Sequence, residues 1–69
     1  MESDALKLAR ARYQAAYKAY LERAEHVGRK LQDKVMPSAE EMEAERQARE
    51  LLAIARRGLI DAINASFHK

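Results

Sequence analysis

The chain has 69 residues, 48% of them hydrophobic and 35% charged, with two glycines, one proline and no cysteine. This excludes a disulfide scaffold, a Cys-ligated zinc or iron–sulfur module, a collagen-like chain and a Gly/Pro-rich linker. The net charge of +2, spread without a basic cluster, lacks the clustered excess of a committed nucleic-acid protein, and the apolar content is too high for a disordered segment.

The first predicted element is a helix over residues 4 to 35, capped by Ser3 or Asp4. Its apolar stripe is Leu6, Tyr13, Tyr17, Tyr20, Ala24, Val27, Leu31 and Val35, at three- and four-residue steps, widened by Ala9 and Ala16. Its other face is charged, and Lys18–Glu22, Glu25–Arg29 and Arg29–Asp33 are opposite charges four residues apart. Arg29, Lys30 and Lys34 crowd its end, as the helix dipole prefers.

Next comes a break at 36 to 38. Proline at 37 removes an amide donor and pushes Met36 away from helical geometry. Ser38 followed by Glu41 reads as a capping box, and Met42 can staple back onto Met36 or Pro37. Glu40, Glu41 and Glu43 suit the positive end of the dipole.

The second helix is predicted over 39 to 66. Its stripe is Ala44, Ala48, Leu51, Leu52, Ala55, Leu59, Ala62 and Ile63. Ile54 falls to one side of that stripe, and Ile60 and Phe67 fall to the other. A helix apolar over this much of its circumference contacts more than one neighbour. The short link makes the two helices antiparallel. Folding at Pro37 sets Leu31 near Met42, Tyr20 near Ala53, and Tyr13 and Tyr17 near Arg56 to Ile60.

The fold class is therefore all-α, a single helical-hairpin domain over 1–69. A chain this short buries only about 60% of its unfolded surface, so the hairpin is expected to complete itself as a dimeric four-helix bundle or coiled coil. The expected interaction surface is Tyr13, Tyr17 and Tyr20 with Leu51, Leu52, Ile54, Leu59, Ile60, Ile63 and Phe67. The tyrosines fit either an aromatic platform for a base or partner peptide or a core stripe with hydroxyls at the rim. A second possibility uses Arg12, Arg23, Lys30 and Lys34 along one edge of the first helix as a phosphate track in a dimer.

Catalytic chemistry finds no foothold. Neither a Gly-rich phosphate loop nor a Ser/His/Asp constellation is present. Glu22 and His26 make only half of a bundle metal site, His68 stands next to the end of the sequence, and the glutamates at 40 to 45 lack EF-hand spacing. The sequence thus predicts a non-enzymatic interaction or adaptor protein without cofactor or metal. Its partner is a second copy or another helical protein, with a nucleic-acid-binding dimer as the alternative. No apolar run reaches a membrane span and the N-terminus lacks a basic signal region, so a cytoplasmic location is expected. In architecture alone the chain resembles the small dimeric hairpins of the Rop type, which bind paired RNA loops. In size and helix-loop-helix form it also resembles the small co-chaperones of type III secretion needle subunits. Neither likeness rests on matched functional residues, so no site carries over from them.

Overall fold

The computed structural model describes residues 3–67. Two helices, α1 (Asp4–Gln32) and α2 (Ala39–Phe67), form an antiparallel hairpin with extents of 53 × 16 × 14 Å. Ser3 caps α1, its Oγ accepting from the Leu6 amide at 3.1 Å. The capping box of α2 is complete. Ser38 Oγ accepts from the Glu41 amide at 3.1 Å, and Glu41 Oε1 accepts from the Ser38 amide at 3.0 Å.

The end of α1 departs from expectation. The helix stops at Gln32, three residues before the predicted Val35, because Lys34 turns into the left-handed region (φ 61°). The Lys34 amide then donates to the Leu31 carbonyl at 3.0 Å and the Val35 amide to the Lys30 carbonyl at 2.8 Å. This pair of bonds is a Schellman motif, built here on lysine where glycine is usual. The longer turn moves the helix pairing towards the loop. Tyr20 meets Arg49 rather than Ala53, and Ser66 Oγ lies 3.5 Å from Ser3 Oγ. Pro37 is buried, whereas Met36 is 78% exposed and Met42 is also exposed.

The seam has a seven-residue rhythm. From α1 it takes Leu6, Tyr13, Tyr20 and Val27 in one row and Ala9 and Ala16 in the other. From α2 it takes Leu52 and Leu59 in one row and Ala48, Ala55 and Ala62 in the other. Rows of large and small side chains let two helices approach closely and fill the gap. Yet only Leu6 (5% exposed) and Ala48 (8%) are buried apolar residues of this seam. On the outside, Arg29 pairs with Glu25, Arg49 with Glu45, and Arg46 with both Glu43 and Glu50. The predicted Lys18–Glu22 and Arg29–Asp33 pairs do not form among the described residues. Exposed pairs of this kind contribute little to stability. No helix among the described residues is long and apolar enough to cross a membrane.

Candidate interaction surface

Two helices in contact leave two flanks. On one flank, small side chains open a continuous apolar groove. At the open end of the hairpin it is lined by Ala5, Leu8 and Arg12 of α1 with Leu51, Ile54 and Gly58 of α2. Towards the loop it continues between Ala15, Ala19 and Arg23 of α1 and Ala44, Gln47 and Leu51 of α2. Leu51 lies in both stretches and is 61% exposed, and Ile54 is 68% exposed. Leu8, at 52% exposed, is a groove residue that sequence reasoning missed. It lies off the seam stripe of α1, and only the pairing with α2 shows that it shares a surface with Ile54.

The expected interaction residues separate into three groups. Tyr13, Tyr20, Leu52 and Leu59 are half-buried in the seam within the chain. Leu51 and Ile54 line the groove. Tyr17, Ile60, Ile63 and Phe67 are exposed on the opposite flank by the 3.6-residue period. The three tyrosines therefore form no single platform. Tyr13 and Tyr17 stack with centroids 6.0 Å apart, while Tyr20 offers its hydroxyl to Arg49.

The expected basic edge is also divided. Arg12 and Arg23 flank the groove. Lys34 occupies the left-handed turn position. Lys30 Nζ donates to Glu41 Oε1 at 2.5 Å. His26, whose only recognisable partner in the sequence is Glu22, instead places Nε2 2.5 Å from Glu41 Oε2. Glu41 therefore joins α1 to the first turn of α2 with both carboxylate oxygens. Its carboxyl is lowered from the ordinary 4.5 to about 2, chiefly by Lys30 and then by the Ser38 amide and His26. This clasp leaves His26 and Glu41 with structural partners. Among the described residues no group of three or more His, Asp or Glu is placed to hold a metal ion. His68 lies outside the described residues.

Comparison with protein-family models, curated proteins and solved structures returned no match. The surface is thus read from its geometry, as a hairpin with one apolar groove, one aromatic and basic flank, and a charged clasp at the loop.

Proposed function

We propose that this chain is a non-enzymatic interaction protein that self-associates through the groove, two hairpins closing into a dimeric four-helix bundle. The carrying observation is the mismatch between surface and size. A compact folded chain of 7.9 kDa exposes about 4,400 Å2 by the usual size scaling. This chain exposes 5823 Å2, an excess of about 1,400 Å2, more than the roughly 800 Å2 that each partner buries in a standard interface.

A second copy suits the groove for two further reasons. The groove is apolar along its floor, Arg12 and Arg23 line it on α1, and by the 3.6-residue period Asp61 borders it beside Ile54 on α2. A two-fold interface sets a surface against itself, so mixed charge can pair where charge of one sign would repel. Association would supply the stability that two buried seam residues do not, and an adaptor built this way presents its remaining faces as a rigid rod.

The test is the mass of the purified chain by sedimentation or light scattering over a dilution series. The expected result is twice 7.9 kDa with a melting temperature that falls on dilution. A cooperative monomer whose melting temperature ignores concentration overturns the proposal. The basic edge gives the nucleic-acid reading little support, since Lys30 is held by Glu41 and Arg12 and Arg23 lie on the groove.

A further inference from the structure

The flank opposite the groove has a different character. Ile60, Ile63 and Phe67 recur at i, i+3 and i+7 along the last turns of α2, with Tyr17 of α1 on the same flank. They are 47%, 39%, 78% and 45% exposed, so the hairpin leaves the row largely uncovered. Arg56 precedes Ile60 by one turn and borders the row. The other two arginines of this flank of α2 are satisfied, Arg46 by Glu43 and Glu50, and Arg49 by Glu45. Arg56 is exposed and makes no ion pair among the described residues. Arg10 shares the flank on α1, Lys7 and Arg57 stand at its margins, and among the described residues no Asp or Glu lies on its open half.

We propose that this flank takes an acidic amphipathic helix of another protein, with Ile60, Ile63 and Phe67 as its apolar row and Arg56 pairing its carboxylates. A second copy of this chain is a poor occupant, because two-fold contact would set arginine against arginine. A helix with apolar residues at i, i+3 or i+4, and i+7 matches the row, and Asp or Glu beside that stripe matches the rim. An anionic lipid surface offers the same charge. However, if the grooves of two hairpins face each other, these flanks point in opposite directions, and one flat membrane meets only one of them. That last step rests on the self-association reading; the charge argument does not.

The experiment uses the full chain and two synthetic amphipathic peptides with the same leucine stripe, one flanked by glutamate and the other by lysine. Fluorescence anisotropy follows binding at about 50 and 200 mM salt, beside phosphatidylcholine vesicles with and without phosphatidylserine. The glutamate peptide is expected to bind at least about tenfold tighter than the lysine peptide and to weaken with salt. Arg56→Glu should abolish this preference and Phe67→Ala should weaken binding of the glutamate peptide, while Leu51→Ala in the groove should leave both intact. Circular dichroism of each variant reports that it keeps its helices. Equal binding of both peptides overturns the proposal, as does loss in Leu51→Ala without loss in Arg56→Glu, or capture of the chain by phosphatidylserine vesicles and not by peptide. The mass measured on the same samples separates the two readings: a monomer that still selects the glutamate peptide sinks self-association and leaves this flank's assignment standing.

Discussion

Leu51→Ala is the sharpest perturbation of the groove. Leu51 lines both of its stretches and is 61% exposed in the single chain. Full burial of a leucine contributes about 1.5–3 kcal/mol, so covering the exposed share contributes about 1–2 kcal/mol per chain. A two-fold dimer counts it twice, about 2–4 kcal/mol, which is roughly 30- to 700-fold in dissociation constant at 1.4 kcal/mol per tenfold. The hairpin itself should be little affected, because leucine and alanine both favour helix and the side chain contributes little to the seam. Sedimentation velocity over a dilution series gives the dissociation constant, and thermal melts at several concentrations give the coupled stability. Leu52→Ala, one position along but half-buried in the seam, is the contrast: it should cost about 2 kcal/mol or more in folding at any concentration. If Leu51→Ala matches the parent in mass and melting temperature at every dilution, the groove is not an interface.

Other outcomes follow from the turn, the clasp and the glycines. Lys34→Gly should stabilise the fold by about 0.5–1 kcal/mol, since the left-handed conformation costs a side chain more than glycine loses in chain entropy. A calorimetric rise of about 2–8 °C reports this, and a fall would contradict the Schellman turn. Glu41 has a folded pKa below its unfolded value, so its contribution is fully present above pH 4.5 and is lost as pH falls towards about 2. Acid titration of the melting temperature should show that loss, flattened in Glu41→Gln, which keeps the capping box without the charge; equal acid slopes would refute the clasp. Gly28→Ala should gain about 1 kcal/mol, because a Cβ there meets nothing within 4 Å in the middle of a helix. The same holds for Gly58→Ala in the single chain, but Gly58 lines the groove, so a smaller gain at high concentration than at low locates the partner's backbone.

The hairpin, the capping box and the stripe were legible in the sequence because each depends on neighbours three or four residues apart. What depends on pairing between helices was not. Tyr13, Tyr17 and Tyr20 read as one stripe, yet the seven-residue repeat of the seam keeps Tyr13 and Tyr20 and turns Tyr17 outward; Leu51 and Leu52 part for the same reason. The end of α1 was misplaced because its left-handed residue is a lysine and no glycine marks it. That error moved the register by about a turn, hiding the approach of His26 and Lys30 to Glu41. The excess apolar surface on α2 was visible, and its two sides around Ile54 and around Ile60 and Phe67 came from periodicity alone. That one side is a groove with mixed charge and the other a ridge rimmed by arginine required both helices in place.

The clasp at the loop has a polarity beyond its attraction. Lys30 belongs to the last turn of α1, where carbonyl oxygens crowd, and Glu41 to the first turn of α2, where amide hydrogens do. Each partner therefore answers two charges at once, the other side chain and its own helix end. Exchanging them, Lys30→Glu with Glu41→Lys, would preserve the ion pair on paper and oppose both helix ends, besides breaking the capping box. The bond can be written in only one direction along the chain, and charge reversal cannot restore it.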